Sequence, residues 1–351
     1  MNGRIERLRQ EMDDASAASF LISNPINVRY LTGFQSSNAF VLVQHEQVVL
    51  LTDGRYIEAA RAVEGVEARL VDREFAPGVA TELPALAEPP VAFEADHLTY
   101  SRHQILAAAG VELVPTSAIV HRLRAVKEPA ELEEIRRSAA ILHDVYGRLA
   151  GESLVGRTEQ DVAWWFELAL HDEGAHGIAF DVTVASGPNA ALPHHHTGDR
   201  MIGTGETVVV DAGAKVDGYC SDCTRTFATG PLPDELRRAY ATCRSAQERA
   251  LAEVGAGAGA RDLDRLARGE IEDGGFEVLH GLGHGVGLEV HELPVLRPTA
   301  EGALEAGNVV TVEPGVYLAG RGGVRIEDLV IVTESGAEVL TPFTKDIVTL
   351  D

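Results

Sequence analysis

Residues 279–292, LHGLGHGVGLEVHE, place His280, His284 and His291 among closely spaced glycines. Imidazole is an acid, a base and a common metal ligand near neutral pH. Glycine is costly to order, so a run of it needs a reason. The spacing GxGxGxG lacks the lysine and the pattern of a phosphate loop, so a nucleotide cradle is poorly supported. Close backbone approach is the alternative. Glycines would let one histidine reach a metal and leave the other two for a substrate.

Two distant stretches carry carboxylates in matching settings. GETVVVDAG (205–213) and GNVVTVEPG (307–315) are β-branched runs that end in an acid. GYCSD (218–222) and GVRIE (323–327) each place an acid four residues after a glycine. Asp211 and Asp222 therefore correspond to Glu313 and Glu327, as in an internal duplication of a strand–turn–strand unit. Asp217-Gly218 is a strong hairpin signal. A two-residue loop there pairs Val216 with Tyr219 and Gly213 with Asp222, which aims Asp211 and Asp222 at one face. The even separation of Glu313 from Glu327 demands an odd loop or a bulge, and AGRGG (319–323) is suited to supply it. Four gathered carboxylates would repel and take up protons unless cations neutralise them. With one or two imidazoles they suit two Mn-, Co- or Zn-like ions about 3.5–4 Å apart. The competing reading is a set of solvated acids on two surface hairpins.

The elements that must position these residues follow from the apolar pattern. FLIS (20–23), FVLV (40–43), VVLL (48–51), VAFEA (91–95) and VELV (111–114) read as short strands with helical patches between them, an α/β arrangement. TYSRHQILAAAG (99–110) has Thr99 as N-cap and Gly110 as stop. His45, His97 and His103 are scattered and read as surface or satisfied core residues. HRLRAVKEP (121–129) reads as a charged connector and the domain boundary. Beyond it Leu132, Ile135, Ala139, Leu142, Tyr146 and Leu149 recur at helical spacing, with Gly151 as stop. Three more helices are expected over 158–174, 234–255 and 261–275, with Trp164 and Trp165 in core or interface positions.

Composition bounds the function. The chain has 351 residues, 54 of them acidic and 30 basic, for a net charge of −24. No basic footprint for nucleic acid is present. Three cysteines, Cys220, Cys223 and Cys243, do not make a disulfide framework. The start, MNGRIERLRQEMDD, is too polar for a signal peptide, and no apolar run approaches the roughly 20 residues of a membrane span. A cytoplasmic protein with no membrane partner is expected.

The set DAG…SDCTRT…GLGHGVGLEVHE…VEPG…GVRIED resembles the pita-bread dinuclear metallopeptidases. Within them it is similar to the proline-specific branch, the Xaa-Pro dipeptidases (prolidases) and aminopeptidases P. The resemblance covers essentially the whole chain. It implies a creatinase-like α/β domain over 1–126, then an α+β pita-bread catalytic domain over 127–351 with an internal pseudo-two-fold repeat. It implies ligands at Asp211, Asp222, His284, Glu313 and Glu327 for two divalent ions, manganese first, with cobalt or zinc as alternatives. The family's catalytic histidines fall on His194, in ALPHHHTG, and on His280 and His291. Val290, Tyr317 and Arg325 fall where the family shapes its substrate pocket. His195 and His196 match no family role and read as solvated loop residues.

The implied reaction is hydrolysis of an Xaa-Pro bond in a dipeptide or a longer peptide. A metal-bridged hydroxide attacks the carbonyl, Glu313 shuttles the proton, and His291 and His194 steady the oxyanion or the substrate. A homodimer is expected. A dipeptidase would need a cation for the free carboxylate, and Arg297 is a candidate. Three rivals are a metal-free creatinase-like enzyme, a methionine aminopeptidase-like enzyme, and a catalytically silent pita-bread protein that holds peptides.

Overall fold

Apolar runs separated by helices build the first third of the chain, as seen in a computed structural model that describes residues 2–350. The chain divides into two units, one ending at Arg124 and one beginning at Ala125.

The first unit is a six-stranded sheet in the order β4-β3-β2-β1-β5-β6. The strands are β1 (Ser19–Ile22), β2 (Ala39–Gln44), β3 (Val48–Thr52), β4 (Glu67–Leu70), β5 (Val91–Glu94) and β6 (Leu113–Thr116). β1, β2, β3 and β5 are buried throughout, as continuous apolar runs should be. The strand expected over 111–114 lies two residues later, because β6 takes its register from β5, with Val91 opposite Leu113. The connector at 121–129 is partly helical. Ile119–Ala125 forms a helix on which Arg124 is buried and donates to Asn27 Oδ1 at 2.7 Å.

The second unit is built on the two hairpins. Its strands are β7 (Gly177–Ile178), β8 (Thr183–Ser186), β9 (Thr207–Ala212), β10 (Ala214–Val216), β11 (Tyr219–Cys220) and β12 (Cys223–Ala228) in the first half. The second half holds β13 (Gly283–Gly285), β14 (Glu292–Leu296), β15 (Val309–Val312), β16 (Gly315–Leu318), β17 (Gly322–Arg325), β18 (Asp328–Thr333) and β19 (Gly336–Val339). The first hairpin turns at Asp217 and Gly218, both with positive φ (43° and 77°), and Val216 pairs with Tyr219 as expected. The same register continues past the break, with Ala212 opposite Cys223. The second hairpin closes on the residues between Leu318 and Gly322, an odd loop.

Each half is covered by its own helices. Pro129–Leu149 and Glu159–Asp172 bury Leu142, Tyr146, Val162 and Phe166 against Val208, Val210 and Phe227. Asp234–Ala252 and Ala260–Asp273 bury Leu236, Cys243, Leu263 and Ile271 against Val310, Val316 and Val330. Each fully buried aliphatic side chain contributes about 1.5–3 kcal/mol. An α/β unit followed by a duplicated α+β unit is the expected fold class. Among the described residues no helix is long and apolar enough to cross a membrane.

Trp165 packs partly buried against the core, whereas Trp164 is exposed. All three cysteines are buried and free.

Candidate active site

The first hairpin breaks at Asp222, between β11 and β12, while Asp211 stays in the ladder opposite Thr224; the second opens at both of its acids. In the second, Val312 pairs with Asp328 and Gly315 with Arg325, so Glu313 and Glu327 stand opposite each other. Yet their backbone N–H groups turn away from one another. Glu313 N donates to Leu282 O at 2.8 Å, and Glu327 N donates to Thr224 O at 3.1 Å. One bond draws in the strand of His284 and the other the strand beside Asp222. Thr226 Oγ1 donates to Arg325 O at 2.8 Å, and Arg325 N donates back to Thr226 Oγ1 at 3.0 Å, locking the two halves.

The glycines around His284 are demanded by this packing. A Cβ on Gly283 would overlap Thr311 O, and one on Gly285 would overlap Leu293 O. β13 is thus wedged between β14 and β15 with no room for a side chain on either flank of His284, which answers why the histidine segment is glycine-rich. His284 Nδ1 lies 3.1 Å from Gly285 O and so carries the proton. Its Nε2 points at the carboxylates, 3.2 Å from Glu313 Oε1 and 3.7 Å from Asp222 Oδ2. Among the described residues, one ligand atom each of Asp222, His284 and Glu327 lie within 4.8 Å of one another. Asp211 joins them from β9 and is paired with Arg325 Nη2 at 2.5 Å.

The electrostatics are those of an over-filled anionic site. Burial raises the Asp211 carboxyl, and burial together with the neighbouring acids pushes Asp222 and Glu327 well above the usual carboxylate range. Burial also acts to raise Glu313, but the hydrogen bond and charge of His284 overcome it and bring Glu313 down to about 2. Burial would lower His284, yet Glu313 raises it. Asp211 Oδ1 is buried and has no hydrogen-bond partner. An orphaned carboxylate oxygen, surplus negative charge and an O/N donor set all fit divalent cations of the Mn, Co or Zn kind.

Of the remaining predicted residues, Arg325, Tyr317 and His280 join the cluster through Asp211, and His291 lies against His284. Tyr317 OH receives Arg325 Nη1 at 3.2 Å and lies 2.9 Å from His280 Nε2. His280 Nδ1 lies 2.8 Å from Gly281 O and holds the proton, so Nε2 accepts from Tyr317 and both ring nitrogens are engaged. Burial lowers His280, and burial with the His284 charge lowers His291, which favours neutral rings. The His291 ring is exposed and sits 4.3 Å from that of His284, centroid to centroid. His194 is exposed. Val290 is half-buried in the turn between β13 and β14.

His195 is not a solvated loop residue. Its side chain is only 11% exposed and its Nε2 lies 2.8 Å from Glu159 Oε2. A partner that lies far back in sequence supplies the reason, since a buried imidazole is tolerated once hydrogen-bonded. His196 is exposed, as expected. Sequence reasoning also missed Thr224, which donates to Glu327 Oε2 at 2.7 Å, and Arg225. The buried Arg225 guanidinium donates to Glu327 O, to Asp328 Oδ1 at 2.7 Å and to Thr341 O at 2.9 Å, so it ties the C-terminal segment to the floor of the site. The SDCTRT stretch that holds both residues was the available signal.

Residues 133–334 match the model of metallopeptidase family M24, and residues 4–126 match the creatinase/prolidase N-terminal domain. The chain belongs to metallopeptidase family M24. It is 32% identical over 355 residues to an Xaa-Pro dipeptidase of Pyrococcus furiosus, covering 99% of this chain and 100% of that one. Among solved structures it is similar to an Xaa-Pro dipeptidase from Bacillus anthracis (TM-score 0.95, 36% identity, 99% of each chain). It is also similar to an X-Pro aminopeptidase from Thermotoga maritima (TM-score 0.87, 33% identity, 95% of this chain and 98% of that one). An M24 domain preceded by a creatinase/prolidase N-terminal domain makes the chain a metallopeptidase and sets aside the rival reading as solvated surface acids.

Proposed function

We propose that this chain hydrolyses the bond between an N-terminal residue and a following proline, with Asp211, Asp222, His284, Glu313 and Glu327 holding two divalent ions. The observation that supports the reading is the gathering of Asp222, His284 and Glu327 within 4.8 Å, with Glu313 3.2 Å from His284 and Asp211 paired with Arg325 beside them. Manganese is the first choice of metal, with cobalt or zinc as alternatives. The ions, when bound, would supply an activated water and a Lewis acid for the carbonyl.

The chain's own residues do the rest. Glu313, held in place by Thr311 Oγ1 at 3.1 Å, is the proton carrier from water to the departing proline nitrogen. His291 and His194 donate to the carbonyl oxygen as charge develops on it. His280 acts beside them, with Tyr317 joining it to Arg325 and so to Asp211. Val290, Tyr317 and Arg325 shape the pocket. Proline, with no N–H and a locked φ, suits a closed apolar wall.

A dipeptide is the favoured length. Arg297 is exposed and packs against Gly281, where a Cβ would lie 3.0 Å from its own Cβ, so it stands next to His280 as a cation for a free C-terminal carboxylate. The functional domains are taken as 1–126 and 127–351, and the working form as a cytoplasmic homodimer. The test is hydrolysis of Xaa-Pro dipeptides, Xaa-Pro tripeptides and Met-initiated peptides, each with and without added Mn. Manganese-dependent cleavage of the first set is expected. Cleavage of Met-initiated peptides alone, or of none, would overturn the reading.

A further inference from the structure

Three consecutive histidines, His194, His195 and His196, lie on one loop, and the middle one turns inward. Its partner, Glu159, is wholly buried at the start of helix Glu159–Asp172. Thr158 and Asp161 cap that helix, so the Glu159 carboxylate is free of capping duty. It accepts instead from Ser186 N and Ser186 Oγ, both at 2.7 Å, from Asn189 Nδ2 at 3.0 and 3.1 Å, and from His195 Nε2 at 2.8 Å. Ser186 ends β8, Asn189 lies in the short helical turn Gly187–Ala191 that follows, and His195 lies just beyond it. One carboxylate therefore gathers the loop from behind, where its charge is also favoured by the helix N-terminus.

The loop's front is fixed separately. A Cβ on Gly323 would overlap Ala190 O, so the loop rests directly on β17. Pro193 O accepts from Arg325 Nη1 at 3.2 Å. His194 thus sits between a residue tied forward to Arg325 and a residue tied backward to Glu159. Its own imidazole is left exposed.

We propose that His195 is a positioning residue: through its bond to Glu159 it sets where His194 stands over the site. The functional half of this inference rests on the reading of His194 given above. The chemistry needed is only a donor at the His195 position that reaches the Glu159 carboxylate, which an imidazole or a glutamine amide provides.

The test compares His195→Ala and His195→Gln in the full-length, metal-loaded protein. Three quantities are read: metal stoichiometry, backbone amide exchange of residues 187–196, and kcat and KM for an Xaa-Pro dipeptide. For His195→Ala, metal content stays at the wild-type level, exchange of the loop accelerates, and kcat falls by about 10- to 100-fold while KM moves less than about threefold. His195→Gln restores slow exchange and most of kcat. Unchanged exchange in the alanine variant overturns the proposal, and so does fast exchange with unchanged kcat. Equal defects in both variants overturn it too, because the bond to Glu159 would not be the cause. A wild-type enzyme inactive on every Xaa-Pro substrate would sink the proposed function, while the exchange comparison would still uphold or overturn the clip.

Discussion

His284 Nε2 and Glu313 Oε1 stand 3.2 Å apart, and that ion pair exists at the expense of the other acids. Glu313 keeps its charge because His284 answers it, and that charge helps push Asp222 and Glu327 toward protonation. Metal binding should therefore displace protons from among Asp222, Glu327 and His284 rather than from Glu313. Affinity should rise with pH. Titration of the chelated protein with Mn in buffers of different ionisation enthalpy should show release of about one proton or more per chain near pH 6.5. A heat independent of buffer would show that the site is pre-ionised and defeat this account.

Glu327→Gln should stabilise the metal-free protein. The folded carboxyl is raised above its unfolded value of about 4.3, so its ionisation costs stability that grows as pH climbs from there through the folded pKa. Glutamine removes that cost and retains an acceptor for Thr224. At pH 7.5 the variant should melt above chelated wild type, by about 2–4 °C for each kcal/mol recovered. The gap should narrow toward pH 4.5, and added Mn should raise the melting temperature of wild type only. A variant that melts below the chelated wild type at pH 7.5 would contradict the raised pKa.

Glu313→Gln keeps the size and one ligand oxygen but cannot carry a proton. We expect kcat to drop by a factor on the order of 10² or more. Near-normal turnover would assign proton transfer elsewhere.

His291→Ala separates a donor from a loop brace. His291 stands exposed beside the His284 ring, and a donor used in the transition state affects kcat more than KM. Metal content and melting temperature should hold while kcat falls roughly 10²-fold. An unstable but fully active variant would end the idea.

Local signals were legible and remote ones were not. The Asp217-Gly218 turn and the oddness of the loop after Leu318 follow from strand parity, so both could be read from the chain. The cap at Thr158 and the stop at Gly174, with φ of 97°, are equally local. By contrast β4, Glu67–Leu70, is a largely exposed edge strand with no apolar run to announce it. The burial of Arg124 depends on Asn27, and that of His195 on Glu159, partners that no spacing rule connects. The duplicated acids were visible as a pair of motifs. The bond from Glu327 N to Thr224 O was not, because it forms only when the two halves dock.

That docking has a consequence for a chain under synthesis. Asp211 and Asp222 leave the ribosome early, on a hairpin whose counterpart has not been made. His284, Glu313 and Glu327 follow, and the carbonyl of Thr341 that Arg225 holds comes near the end. A partly made chain owns only the two aspartates of the set, too few donors to retain an ion. Hydrolytic competence would thus arrive only after Glu327 has emerged and bonded to Thr224, and the free N termini of neighbouring nascent chains would meet no half-built peptidase.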